Sequence, residues 1–405
     1  MQTKTFKLAK DVFWIGVNDY DLQVFDIVME TEFGTSYNAY YIKGNEKSVL
    51  IDTTKANFGD DYIAKIEALT AISKIDYLVL NHTEPDHSGS VIRILEKNPQ
   101  ITIIASAPGL SNLKEILNRP FNSIRAKDDL VVSLGDKFLK FYILPNLHWP
   151  DTMFTYLEAE KILFTCDFFG AHYAYEGVLS TNVENKDDYL KSLKYYFDSI
   201  MSPFKPDVLK ALDKIRPLDL KLVATSHGPI LDESMINEAK KMYLTWAQPV
   251  KPHEKPLIVI PYASAYGYTT IMMEEIEKAI KKEFDGLVEI ETYDIVLAKT
   301  GVIVSRIEAS DAFLIGTSTI LKDTVKPIWD ILSSLNPESH GGKLASAFGS
   351  YGWSGEAVPN VMQRLVQLKL KTIDGLRLRF NPSTSQLHEA YEFGIKFAKH
   401  VKENR

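Results

Sequence analysis

The segment His82-Thr83-Glu84-Pro85-Asp86-His87 sets four strong metal-binding side chains within six residues, just after the apolar run Tyr77-Leu78-Val79-Leu80. A short apolar run of this kind reads as a buried strand, and a strand ending in such a cluster delivers its side chains at a sheet edge. Imidazole and carboxylate together suit iron, zinc or manganese. One tetrahedral ion needs fewer than these four groups once ligands from elsewhere are added, so the surplus points to two metals.

The 405 residues suffice for two or three domains, and 45% hydrophobic with 24% charged content is ordinary for a soluble globular protein. A net charge of −7 gives no support to nucleic-acid binding. With Cys166 as the one cysteine, no intramolecular disulfide, zinc–thiolate cage or iron–sulfur cluster can be built. That composition suits a reducing cytoplasm. The opening Met1-Gln2-Thr3-Lys4 runs into polar sequence, so no signal peptide is expected. The chain has no run of about 18 apolar residues, so no membrane span is expected either.

The stretch Gln248-Pro249-Val250-Lys251-Pro252-His253-Glu254-Lys255-Pro256 reads as an extended, semi-stiff linker between a domain at 1–247 and another at 257–405. Before it, apolar runs at 49–51, 77–80, 101–105, 139–144, 162–166 and 221–225 alternate with amphipathic patterns such as 187–197. This mixture predicts strands stacked with helices outside. After the linker, strands are predicted at 257–263, 288–293, 312–317, 344–349 and 375–380. Helices are predicted at 270–284, 325–335, 357–368 and 385–401. Such alternation implies a doubly wound five-stranded parallel sheet with ligand loops along one edge.

Further candidate ligands stand after strand candidates: His148 beyond 139–144, Asp167 directly after 162–166, and His227 after 221–225. Asp86 has a second reading as a helix cap ahead of Ser88-Gly89. His172 lies shortly after Asp167, where it either lines a substrate pocket and donates a proton or is an ordinary loop histidine. His253, His340, His388 and His400 have no ligand-like setting and are expected to be solvated.

The cluster resembles the His-x-His-x-Asp-His signature of the metallo-β-lactamase superfamily, with Glu84 at the second histidine position. The resulting His-x-Glu-x-Asp-His is similar to that of the flavodiiron proteins. So are His148-Trp149-Pro150-Asp151-Thr152-Met153, Asp52-Thr53 and Ser36-Tyr37-Asn38-Ala39-Tyr40. The resemblance covers essentially the whole chain and includes the domain order. It implies a metallo-β-lactamase-like αββα sandwich followed by a flavodoxin-like domain. It also implies that His82, Glu84 and His148 hold one iron, that Asp86, His87 and His227 hold the other, and that Asp167 bridges them. An added carboxylate makes the site harder and more anionic, which favours iron over zinc.

In the second half, Ser264-Ala265-Tyr266-Gly267-Tyr268-Thr269-Thr270 sits between a predicted strand and a predicted helix. Hydroxyls, a glycine and a helix N-terminus together make a phosphate cradle. The loop resembles the flavodoxin Thr-x-Thr-Gly-x-Thr, with Ser264 and Tyr266 replacing the first two threonines. Thr317-Ser318-Thr319-Ile320 and Ser350-Tyr351-Gly352-Trp353-Ser354-Gly355 follow the third and fourth strands. In flavodoxin-like domains these loops flank the isoalloxazine ring, and Tyr351 and Trp353 offer it flat surfaces, so flavin mononucleotide (FMN) is the expected cofactor. For Trp353 the rival reading is plain packing.

The resemblance implies reduction of dioxygen, nitric oxide or both. It further implies a head-to-tail dimer or a dimer of dimers, and an external donor, rubredoxin or a reduced deazaflavin. The rival readings are a zinc hydrolase with an accessory flavodoxin domain, and an electron carrier with a vestigial metal domain.

Overall fold

Neighbouring residues of one strand point to opposite faces of a sheet, and here they enter different cores. In the strand Ser48–Ile51, Val49 and Ile51 join one buried cluster and Leu50 another. In Ile162–Cys166, Ile162 and Phe164 share the first cluster while Leu163 enters a third. Two sheets therefore stack face to face, each with a further core on its outer side. The structure is a computed structural model and describes residues 4–249 and 253–404.

The first sheet runs Phe6–Ala9, Val12–Trp14, Tyr40–Lys43, Ser48–Ile51, Tyr77–Val79, Thr102–Ala105 and Asn122–Arg125 in spatial order. The second runs Val131–Ser133, Phe138–Ile143, Met153–Leu157, Ile162–Cys166, Leu222–Thr225 and Leu231–Asp232. Between them Trp14, Ile42 and Ile104 meet Phe141, Met153 and Phe164. Outside the first sheet, Tyr62 and Ile66 of helix Gly59–Glu67 and Ile94 of helix Val91–Lys97 cover Leu50 and Leu78. Outside the second, helices Lys186–Tyr196, Lys205–Ile215 and Glu233–Trp246 cover Leu163 and Val223. The order is helix, sheet, sheet, helix, the αββα sandwich expected.

The chain divides into two compact units between Gln248 and Pro249. Part of the candidate linker, residues 250–252, lies outside the described residues. The second unit is a parallel sheet ordered Glu289–Asp294, Leu257–Tyr262, Ala312–Gly316, Leu344–Tyr351, with Lys371–Thr372 and Leu376–Arg379 both pairing with the last. The expected fifth strand is thus broken into two short pieces on one edge. Helices Tyr268–Glu283 and Thr384–Glu403 cover one face. Helices Lys326–Ser334 and Ala357–Gln367 cover the other, with an additional helix, Thr300–Ala309, that the sequence pattern had not suggested. The sheet is doubly wound, and its strand order reverses beside Leu257–Tyr262, where such sheets bind ligands.

Among the described residues no helix is long and apolar enough to cross a membrane. One expectation fails outright: His340 is buried, not solvated. It closes the short helix Pro337–His340, and its Nδ1 lies 3.0 Å from the carbonyl of Asn336, so its ring is drawn inward by its own helix start.

Candidate functional site

Strand ends carry all seven sequence-predicted ligands to one rim of the sandwich. His82 and Glu84 follow the strand Tyr77–Val79, and Asp86 and His87 lie in the single turn Pro85–Ser88. His148 sits between Phe138–Ile143 and Met153–Leu157, Asp167 follows Ile162–Cys166, and His227 follows Leu222–Thr225. Glu84 Oε2 lies 3.2 Å from both His82 Nε2 and His148 Nε2. Asp86 Oδ2 lies 3.3 Å from His87 Nε2 and 3.0 Å from His227 Nε2. Asp167 divides its two oxygens between these groups. Oδ2 is 3.8 Å from His82 and 3.7 Å from His148, whereas Oδ1 is 3.1 Å from His87 and 3.5 Å from His227. His82, Glu84 and His148 form one possible ion-holding group, and Asp86, His87 and His227 another.

These spacings fit a pair of cations. Two donors about 2.1 Å from one ion and about 90–110° apart lie roughly 3.0–3.4 Å from each other. The tautomers agree. His82 donates from Nδ1 to Asp151 Oδ1 at 3.0 Å, and His227 donates from Nδ1 to the Ser36 carbonyl at 2.7 Å. Each Nε2 then faces a carboxylate oxygen, an arrangement that holds either a second ring proton or a metal cation between the two atoms. Both oxygens of Asp86 are buried without a hydrogen-bond partner, which also excludes Asp86 as a helix cap. A buried carboxylate left in that state is costly unless a cation completes it.

Electrostatics reflect the same crowding. Burial disfavours charge on His82, yet the carboxylates of Asp151 and Glu84 outweigh it and hold the ring well above the usual histidine range. Burial likewise opposes ionisation of Asp167, but His87, His82 and His148 hold its carboxyl well below the usual value. His172 behaves oppositely. Burial and then neighbouring His227 push its pKa well below the ordinary one, so the ring is neutral. Its Nδ1 lies 2.9 Å from Thr35 Oγ1, and its Nε2 is buried without a partner. The Thr35 hydroxyl also faces the Ser36 carbonyl at 3.3 Å, and whichever acceptor takes its one proton sets the His172 tautomer. The ring lies 5.3 Å from that of His227 and 4.3 Å from that of Phe25.

Sequence reasoning had not singled out three participants. Tyr196 donates from its hydroxyl to Asp167 Oδ1 at 3.0 Å, and nothing in the pattern of helix Lys186–Tyr196 distinguishes it. Phe25, from the two-residue strand Val24–Phe25, closes the side of His172 and His227. Asp151 stands in the segment 148–153 that had marked the site, but only the structure gives it a partner.

In the second unit the three expected loops converge. Gly267 takes φ +82° and opens helix Tyr268–Glu283, whose first amides have no partner within the helix. A Cβ at Gly267 would meet nothing within 4 Å, so the cradle is open there. Thr270 N donates to Ser264 Oγ at 3.2 Å. Thr269 Oγ1 lies 3.3 Å from both Ser318 Oγ and Ser350 Oγ, which ties the 264–269 loop to 317–320 and 350–355. Tyr266 and Trp353 are 86% and 81% exposed, and Lys322 Nζ lies 5.5 Å from the Trp353 ring. Trp353 is therefore not a packing residue within its own unit. A hydroxyl-lined helix start flanked by open aromatic faces suits a phosphate carrying a flat ring.

Residues 35–228 match the family described as ODP family beta lactamase, and residues 260–394 match the flavodoxin family. The chain is 45% identical to Flavo-diiron protein FprA2 of Clostridium acetobutylicum, over 98% of this chain and 99% of that one. It is 30% identical to the anaerobic nitric oxide reductase flavorubredoxin of Vibrio vulnificus, over 98% of this chain and 80% of that one. Among solved structures it is similar to the flavodiiron protein from Giardia intestinalis, with 26% identity and a TM-score of 0.68, covering 100% of this chain and 98% of that one.

Proposed function

Because the chain belongs to the flavodiiron protein family, we propose that it reduces dioxygen to water, nitric oxide to nitrous oxide, or both, at a non-haem di-iron site supplied with electrons through FMN. The observation that carries this reading is the pair of donor groups sharing Asp167, in one chain with a flavodoxin-like domain. The name of the Vibrio vulnificus relative supports the nitric oxide arm.

In this reading residues 1–247 form the metal domain, 248–256 the linker and 257–405 the FMN domain. His82, Glu84 and His148 would hold one iron, Asp86, His87 and His227 would hold the other, and Asp167 would be shared between them. Glu84 in a histidine's place makes the donor set harder, which selects iron. The bound cofactors supply four electrons for dioxygen plus four protons to give two waters, or two electrons for two nitric oxides plus two protons to give nitrous oxide and water.

The chain's own residues supply position and protons. Tyr196 fixes the Oδ1 arm of Asp167. His172, kept neutral by burial, stands beside His227 with its buried Nε2 unpartnered and is the residue we assign to a bound diatomic. Ser264, Ala265, Tyr266, Gly267, Tyr268 and Thr269 cradle the FMN phosphate. Thr317, Ser318, Thr319 and Ile320 flank the ring on one side. Ser350, Tyr351, Gly352, Trp353, Ser354 and Gly355 flank it on the other. Electron transfer works over short spans, so we further propose a head-to-tail homodimer or a pair of such dimers. The donor is an external rubredoxin or a reduced deazaflavin, and the site of action is the cytoplasm.

The test is metal analysis followed by anaerobic reduction and separate pulses of each gas. Two irons per chain and turnover of at least one gas are expected, with turnover lost in Asp167→Ala. Two zincs, or no consumption of either gas, would overturn the proposal.

A further inference from the structure

His82 and His227, one histidine from each ion-holding group, differ in what stands behind them. His82 donates from Nδ1 to Asp151 Oδ1 at 3.0 Å, so a full negative charge backs that imidazole. Behind His227 stands a neutral acceptor, the Ser36 carbonyl, at 2.7 Å. Asp151 is itself held in place. Its Oδ2 accepts from the Thr83 amide at 2.8 Å and from the Thr83 hydroxyl at 2.6 Å. Asn112, on helix Ala107–Leu117, donates to that hydroxyl at 3.0 Å, and Ser106 Oγ donates to the Asp151 carbonyl at 2.6 Å. A chain of hydrogen bonds therefore runs from Asn112 through Thr83 and Asp151 to His82. Every member from Thr83 inward is buried.

A carboxylate behind a ligating imidazole fixes its tautomer and raises its basicity. A neutral carbonyl fixes the tautomer but adds less electron density. We infer that Asp151 is a positioning residue that makes the two metal positions unequal, with the ion at His82, Glu84 and His148 held more tightly than the ion at Asp86, His87 and His227. This rests on the di-iron reading above and adds an order of affinity to it. The geometry also orders the variants. Loss of the Asp151 charge strikes His82 directly, whereas loss of the Thr83 hydroxyl only loosens the carboxylate that remains.

The experiment is titration of the metal-free full chain with Co2+, read by its visible absorption. Wild type is expected to take up two ions in two distinguishable steps. Asp151→Asn weakens the tighter step about 10- to 100-fold and leaves the weaker one in place. His148→Ala abolishes the tighter step, and His227→Ala spares it. Thr83→Val, which keeps the shape of the side chain and removes only its hydroxyl, weakens the tighter step by a smaller factor. This variant decides the matter if Asp151→Asn does not fold, as judged by circular dichroism. Equal weakening of both steps, no weakening of either, or a tighter step that survives His148→Ala and is lost in His227→Ala would overturn the inference while leaving the di-iron reading intact. Uptake of fewer than two Co2+ by wild type would overturn both.

Discussion

The phenol of Tyr196 donates to Oδ1 of Asp167 at 3.0 Å, on the oxygen that faces His87 and His227. The hydroxyl therefore holds the shared carboxylate in the orientation that divides its oxygens between the two groups. Tyr196→Phe removes a hydrogen bond to a charged acceptor, worth about 1.5–3 kcal/mol. The expected outcome is a folded protein with both metals, somewhat less stable, and with turnover reduced about tenfold. Stopped-flow turnover and metal analysis of the variant check this.

Metal removal has its own signature. Glu84, Asp86 and Asp167 are gathered close together, and Asp86 has no hydrogen-bond partner. A cation that binds only the folded chain stabilises it by mass action. Chelation is expected to lower the unfolding temperature of the first unit by several degrees, and Fe2+ added without oxygen is expected to restore it. Calorimetry with and without chelator measures the shift. No change would mean that the donors hold their geometry unaided.

A pH effect arises away from the site. Lys65 is buried, donates to the Gly16 carbonyl and lies 4.3 Å from the Trp14 ring. Burial, partly offset by Asp61, lowers its pKa from 10.5 to about 8. Below about 8 both folded and unfolded chains carry the charge, and folding bears its full desolvation. Between about 8 and 10.5 the unfolded chain binds more protons, so this group's contribution to stability rises with pH and then levels off. In Lys65→Met that rise is absent. Chemical denaturation of both proteins at several pH values across this window shows it as a difference that moves toward wild type.

Gly267 offers a test in the second unit. Its φ of +82° lies where an L side chain is strained, although a Cβ there would touch nothing. Gly267→Ala is expected to cost about 1–2 kcal/mol through backbone strain alone. It should also weaken FMN binding, because relaxation of that residue turns the loop amides. Fluorescence titration of the apoprotein with FMN, beside a thermal melt, separates the two effects.

The sequence made some elements plain and hid others for identifiable reasons. Strands of the second unit such as Leu257–Tyr262 and Ala312–Gly316 were legible because each is a short apolar run followed by turn residues. Helix Thr300–Ala309 was not, because Val302, Ile303, Val304 and Ile307 mask its period, and only Ile303 and Ile307, one turn apart, are buried. Met153–Leu157 carries no alternation, since all five residues are buried. His340 looked like a surface residue because the turn that draws its ring back to the Asn336 carbonyl leaves no hydrophobic mark in the sequence.

Chemistry was written locally. The types of donor, their position after apolar runs, and the hydroxyl-and-glycine turn before a helix all follow from short-range order, which one sequence displays. The grouping of donors was decided only in three dimensions. Which oxygen of Asp167 faces which histidine depends on how the two sheets stack, and so does the meeting of Asp151 with His82 and of Tyr196 with Asp167. The partners in these contacts are brought together by long-range packing. Hydrophobic burial, which sets that packing, follows the whole chain and leaves no local mark on the polar residues it aligns.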